Sequence, residues 1–559
     1  MTTTLHAPPA HDTDKAPRMG LVVAASAAGT AFEWYDFFVF APLATILSKV
    51  FFSGLNDSAA YIFALGAFAA GFAFRPVGAL IFGRVGDRVG RKGAFLITVS
   101  LMGVATFAIG LLPTYAQVGP IAPLLLILMR IIQGTALGGE YGGAAIYVAE
   151  HSSPGRRGFN TGWVQAAAAP GLVGALAVIL IARSIMGEAA FTDGGWTGGW
   201  RLPFLLSAGL LAISIWMRLK LTESPTFTAM KRAGEVAKAP YAEAFGQWKN
   251  LKIVLMALLA IMSAQGAAWY TLFFYAEQVF LERFLKIAPL TGTQLLIAIT
   301  LASAPLYIFF AWLSDKVGRK WVIWSGMTLA MVAFFPAFHA FTHLANPALE
   351  AAQARTPVVV IADPARCSLQ FDIIGKARFA TSCDIAKSAL SNAGVSYDNQ
   401  AAPVGTVARV RIGAAVVASR EATGLPAPAL KAASEDVRGR LMAALSAAGY
   451  PARADPARVN FWGLFGVLMI FVVACTALFG PIAVTLVELF PARVRYTAMS
   501  LPYHIGAGWI GGFMPVTAFA IVTATGNIYS GLWYSVIFTG ISVATLPYLL
   551  RETRGRPME

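Results

Sequence analysis

The strongest constraint on this chain is a set of apolar stretches too long for a soluble core. Leu124–Ala149, Ile253–Tyr275 and Phe465–Val487 each exceed the ~18 residues that cross about 30 Å of hydrocarbon. Across 559 residues 57% are apolar, only 13% are charged, and the mean hydropathy is +0.64. A water-soluble domain carries about 25% charge. The chain is therefore built of transmembrane helices.

Twelve segments are predicted, near 20–45, 59–83, 93–113, 121–147, 160–184 and 202–219, then 252–276, 291–313, 321–343, 459–487, 497–522 and 529–550. Basic residues concentrate in alternate loops, as cytoplasmic loops require. Arg84, Arg88, Arg91, Lys92, Arg156, Arg157, Lys316, Arg319 and Lys320 fall on one side, with Arg218, Lys220 and Lys231 in the central loop. The connections 114–120 and 523–528 contain no Lys or Arg. This pattern puts both termini inside, and it accounts for the formal charge of +15 without a nucleic-acid partner. Residues 1–19 lack an apolar core and read as a cytoplasmic tail, not a signal peptide.

Two loops share one pattern. GRVGDRVGRK (Gly83–Lys92) recurs as AWLSDKVGRK (Ala311–Lys320), aligning Asp87 with Asp315 and Arg91 with Arg319. Glu150 and Arg157 at the end of helix four are echoed by Glu488 and Arg495 after helix ten. The second echo is displaced further than the first, by about the length of the polar stretch between helices nine and ten. The expected organisation is a six-helix half (20–219), a central loop (220–251), helices seven to nine (252–343), an insert (344–458) and helices ten to twelve with a short tail (459–559).

Parallel six-helix repeats with a mid-membrane site between them resemble the major facilitator superfamily. GRVGDRVGRK and RIIQGTALGG (Arg130–Gly139) are similar to its signatures. FEWYDFF (Phe32–Phe38), GGEYGGAAIYVAEHSSPGRRG and WRLPFLLSAGLLAISIWMRLKLTESPTF resemble the metabolite:proton symporter family within it. The resemblance covers 20–343 and 459–552. It implies a proton symporter of a small organic acid, such as a dicarboxylate, α-ketoglutarate or a shikimate-like compound, acting as a monomeric unit in a bacterial inner membrane. No cofactor, metal or nucleotide site is implied, and the chain is not expected to be an enzyme.

Charge within hydrocarbon costs roughly 2.5–3.5 kcal/mol or more, so each such residue needs a reason. Glu33 and Asp36 lie three residues apart on one face of helix one. By helical rise, Arg130 on helix four falls near their depth. An acid–Arg130 pair is expected there, with Glu33 or Asp36 accepting the proton and Arg130 coupling it or anchoring a carboxylate. A static pair tying helices one and four is the alternative. Arg75 and Glu140 are expected to pair as an inner gate or relay, or as a fixed tie. Arg75, Gln133, Glu140, Gln265, Trp269, Tyr270, Tyr503 and His504 are candidate cavity residues. The resemblance makes Gly83, Asp87, Arg88, Arg91, Glu150, Asp315 and Arg319 a conformational gate, with Asp87 docking helix eleven and Arg91 meeting Glu150. Ala311 replaces the first glycine of the second copy, which puts tight packing there in doubt.

Residues 344–458 alternate strand-like runs (Val358–Ile361, Val407–Ala418) with helical ones (Asp384–Ala393, Ala429–Ala448), a small α/β domain on the outer side. An oxidising periplasm would join Cys367 and Cys383 in a disulfide. Two other functions stay open. One is a symporter of zwitterionic osmolytes such as proline or betaine, disfavoured by the short segment after helix twelve. The other is a sensor or interaction protein acting through the insert.

Overall fold

The computed structural model describes residues 19–53, 67, 70–370, 378–556 and 558. The expected tail at 1–18 and residues 59–66, 68 and 69 of helix two lie outside this set. Among the described residues ten helices are long and apolar enough to cross a bilayer. They are helices three (Arg91–Leu111), four (Ile121–His151), five (Pro154–Met186), six (Gly199–Leu219), seven (Trp248–Phe284) and eight (Pro289–Val317). Nine (Arg319–Ala345), ten (Phe461–Leu489), eleven (Arg495–Thr525) and twelve (Leu532–Leu549) complete them. Helix one is a bent pair, Met19–Phe38 and Phe40–Phe51, broken by 48°. Pro42 sits at the break, where it can donate no hydrogen bond to the preceding turn. Helix two is described as Arg75–Arg88, continuing a helical run from residue 70. The fold is an all-α membrane protein of two six-helix halves with a small α/β insert.

Small residues bring the helices into contact. A Cβ on Gly134 of helix four would lie 2.0 Å from the Gly71 carbonyl, and one on Gly266 of helix seven 2.1 Å from that of Gly506. Each half thus has a pair of helices with touching backbones. Helices seven and eleven widen into π-helix at Leu258–Met262, Thr271–Phe284 and Ile505–Gly511, next to the space between the halves.

The insert holds a four-stranded sheet of order β2-β1-β3-β4, with β1 Val358–Ala362, β2 Asp398–Ala401, β3 Arg409–Ile412 and β4 Ala415–Ala418. β1 pairs parallel with β2 and antiparallel with β3, and β3 pairs antiparallel with β4. The single strand-like run expected at Val407–Ala418 is a hairpin, because Gly413 takes φ +57° at the first position of a two-residue turn. Helices Ser382–Asn392 and Ala427–Ala447 accompany the sheet. Cys367 and Cys383 are joined in a disulfide, their Cα atoms 5.2 Å apart. The insert's hydrogen bonds to the helices reach the second half. Tyr397 and Asn399 bond the carbonyls of Gly526 and Thr525 at the end of helix eleven, at 2.8 Å each. Asn346 and Ala454 bond those of Leu285 and Lys286 after helix seven, at 3.0 and 3.1 Å.

Candidate functional site

One face of the bundle carries the two signature loops, the other carries the insert. On the loop face each half lays an acid on a helix N-terminus of the other. Asp87 accepts from the backbone N–H groups of Tyr496 (3.2 Å) and Thr497 (2.8 Å), in the first turn of helix eleven. Asp315 accepts from those of Gly158 (3.0 Å) and Phe159 (2.8 Å), at the start of helix five. The unsatisfied donors of a helix start make both favourable anion sites. Arg91 holds Asp87 at 2.9 Å and Arg319 holds Asp315 at 2.7 Å, each one turn along its own chain.

The expected Arg91–Glu150 contact does not form. Both terminal nitrogens of Arg91 are engaged, by Asp87 and by the carbonyls of Gly86 (2.6 Å) and Ala492 (2.8 Å). Glu150 crosses instead to Arg495 of helix eleven at 2.7 Å and accepts from Ser224 at 2.5 Å. Its repeat partner Glu488 takes Arg319 at 3.4 Å and Arg157 at 3.5 Å. A Cβ on Gly83 would come within 2.7 Å of Thr497 Cα. In the second copy the small residue has moved across the seam, since a Cβ on Gly158 would meet the Ala311 carbonyl at 2.4 Å. Close packing is kept there despite Ala311. Arg88 is exposed and stands outside these bonds.

Two further acids belong to this layer. Glu223 accepts from the backbone of Arg91 (3.1 Å) and Lys92 (3.3 Å), and Glu552 from that of Arg319 (2.9 Å) and Lys320 (3.2 Å). They cap helices three and nine in parallel. The shared signal, Thr-Glu-Ser after helix six and Arg-Glu-Thr after helix twelve, is a third echo of the repeat.

Between the halves lies a narrow cavity of about 10 Å³, room for roughly one water, lined by Trp34, Arg75, Gln265, Trp269, Tyr270, Phe479, Tyr503 and Ala507. Arg75 begins helix two and is buried at 1% exposure. It donates to His504 Nδ1 and to the Tyr270 hydroxyl, both at 3.3 Å. Among the described residues it has no acidic partner, so the Arg75–Glu140 pair expected from sequence is absent. The two side chains leave opposite sides of the helix two–four contact, one toward helix eleven and the other toward helix six. Trp269 donates to Tyr307 at 2.9 Å, and Gln265 is buried with its Oε1 unbonded. Tyr141 stacks on Tyr503 with ring centres 3.7 Å apart. Toward the insert face, Trp34 approaches Trp269 (6.2 Å), Phe72 approaches Tyr270 (5.7 Å) and Phe38 approaches Phe274 (6.5 Å).

The acids of helix one do not reach Arg130. Glu33 pairs with Arg218 of helix six at 2.7 Å, and Asp36 accepts from Ser207 of the same helix at 2.5 Å. Arg130 donates to Gln133 (2.7 Å) and lies over the Phe40 ring at 4.4 Å, while Gln133 donates to Thr106 at 2.6 Å. Helical rise gives depth but not azimuth, and Arg130 meets a different face of helix one. Arg218 also holds Glu140 at 2.9 Å. From sequence it belonged to the basic central loop, but helix six runs to Leu219 and its penultimate side chain turns inward. Among the described residues no group of three His, Cys, Asp or Glu could hold a metal.

The family description "Sugar (and other) transporter" matches residues 21–246. The chain is 34% identical over 326 residues to the proline/betaine transporter of Escherichia coli, covering 56% of this chain and 63% of that one. It thus spans less than two thirds of that relative. It is 32% identical over 342 residues to the alpha-ketoglutarate permease of Escherichia coli, covering 60% of this chain and 74% of the permease. It is 33% identical over 322 residues to the shikimate transporter of the same organism, covering 56% and 71%. The solved structure of the major facilitator proton:xylose symporter XylE bound to 6-bromo-6-deoxy-D-glucose matches with TM-score 0.62 and 15% identity, over 97% of each chain. That likeness shows a shared fold.

Proposed function

Because the chain belongs to the sugar (and other) transporter family of the major facilitator superfamily, we propose that it carries a small carboxylate-bearing solute through the central cavity by alternating access, driven by protons. The observation that carries this reading is Arg75. A guanidinium in a low-dielectric cavity is costly without an anion. Here it faces an imidazole and a phenol, and a bound carboxylate would supply the missing charge in the two-point geometry that arginine favours. An organic acid of the α-ketoglutarate or shikimate type fits this anchor, and those solutes appear in the names of two relatives.

A second reading rests on the rings of Trp34, Trp269, Tyr270 and Tyr503 in the same cavity. Aromatic faces attract ammonium groups. They favour a zwitterion such as proline or betaine, whose carboxylate would take the same arginine.

In this reading Asp87, Arg91, Glu150, Asp315 and Arg319 form the gate that closes the loop face, and that face is cytoplasmic because its loops are basic. The protein works as a monomer in a bacterial inner membrane. The test is uptake of labelled α-ketoglutarate, shikimate, proline and glycine betaine into proteoliposomes under an inward proton gradient. Accumulation of an acid that collapses with a protonophore supports the first reading. Accumulation of proline or betaine alone supports the second. Accumulation of none overturns both.

A further inference from the structure

Three buried charges meet where helices one, four and six converge, away from the solute cavity. Arg218 lies at 2.7 Å from Glu33 and 2.9 Å from Glu140, so the two carboxyl groups share one guanidinium. Exposure is 5% for Glu33, 1% for Arg218 and 0% for Glu140. The guanidinium is fixed as well as buried. It sits 3.6 Å from the centre of the Phe95 ring, and a Cβ on Gly29 would lie 2.4 Å from its Nη2. It therefore cannot leave one acid for the other without moving helix one or helix three.

The charges do not balance. One guanidinium offsets one carboxylate, and a second bare carboxylate in such a pocket costs several kcal/mol. One proton bound between the two acids makes the site neutral and satisfies both. Resting on the proton-driven reading above, we infer that the coupling proton is held jointly by Glu33 and Glu140 over the single guanidinium of Arg218. Binding adds H⁺ to a carboxyl oxygen, release returns H⁺ to water, and no bond of the solute is made or broken.

The site also has a route to the moving parts. Glu140 lies between Gly139, whose carbonyl accepts from the Tyr496 hydroxyl, and Tyr141, whose ring stacks on Tyr503. Both partners belong to helix eleven in the other half. A Cβ on Gly143 would meet the Tyr496 hydroxyl at 2.5 Å, so that ring fills the seam directly against helix four. Tyr496 is thus the plug between the acid pair and the loop face. Withdrawal of helix eleven on opening takes away the plug and exposes the pair to that side alone. The other titratable groups near the pair are Asp36, one turn along helix one, and Tyr496 itself.

Shared ownership of one proton has a signature that a single carrier lacks. In Glu33→Gln or in Glu140→Gln, the remaining acid forms a balanced ion pair with Arg218, and the proton has no site. Infrared difference titration of the purified full-length protein, without solute, reads this directly. Both variants are expected to lose the same protonated-carboxyl band relative to wild type. In proteoliposomes, wild-type accumulation of about tenfold per unit of imposed pH gradient should fall to equilibration in both, while solute counterflow persists. Loss of the band in only one variant, or in neither, overturns the inference, and so does gradient-driven accumulation in either. If wild type accumulates none of the four solutes, the transport reading fails, while the infrared comparison still decides the proton site.

Discussion

Glu150 of helix four and Arg495 of helix eleven form a 2.7 Å ion pair across the two halves, with both side chains almost fully buried. It stands beside the Asp87 bonds to Tyr496 and Thr497, and the two contacts share one seam. Closure of the loop face is therefore electrostatic as much as apolar.

Glu150→Gln strips Arg495 of its acid. Removing one partner of a buried pair costs about 3–5 kcal/mol. The expected result is opening at the seam, so that the Tyr496 and Thr497 amides exchange hydrogen at least about 100-fold faster. The double variant Glu150→Gln/Arg495→Gln should exchange more slowly than the single one, because it removes the stranded charge. Unchanged exchange in Glu150→Gln would show that the pair has no share in closure.

Arg75→Lys tests the anchor. Lysine keeps the charge but loses the fork that grips both carboxylate oxygens. Losing a charged hydrogen bond of this kind costs about 1.5–3 kcal/mol. The KM for the transported acid should rise about 10- to 100-fold, with kcat much less affected. A KM within twofold of wild type would move the carboxylate away from Arg75.

What the sequence made legible follows from what repeats and what does not. Asp87 and Asp315 were readable because they occur twice, in one pattern, at a depth where positive-inside topology explains a base but not an acid. Glu223 and Glu552 repeat too, but in a motif of three residues that only the structure makes visible. Arg218 was misplaced because a basic residue at a helix end reads as loop, while its side chain turns back into the bundle. Arg130 shows the same limit from another side, since equal depth on two helices does not make two side chains face each other. In the insert, β2 has four exposed residues and so none of the alternation that betrays a strand.

The Cys367–Cys383 bond closes a loop with a separation of 16 residues, joining the segment after β1 to the helix at Ser382–Asn392. A loop of this size contributes about 3 kcal/mol. Reduction, or Cys367→Ser/Cys383→Ser, should therefore loosen the insert without unfolding the bundle. Limited proteolysis under reducing conditions should cut within 344–458 while helices one to six stay intact. Equal resistance of the insert with and without reductant would show that its core holds without the bond.

Glu552 predicts how acid affects the end of the chain. Partial burial raises its pKa, but bonds from the backbone N–H groups of Arg554, Arg319, Lys320 and Thr553 outweigh this and leave it below the ordinary carboxylate value. A carboxylate lowered in the folded state stabilises folding at pH above its unfolded value, about 4.3. That stabilisation is lost as pH falls through the lower, folded value. The segment after helix twelve should thus stay docked on helix nine at neutral pH and release on strong acidification, read as faster proteolysis after Leu550. In Glu552→Gln the segment should already be released at neutral pH, and the acid-dependent limb should vanish. A Glu552→Gln chain that keeps the wild-type acid limb would assign the release to another group.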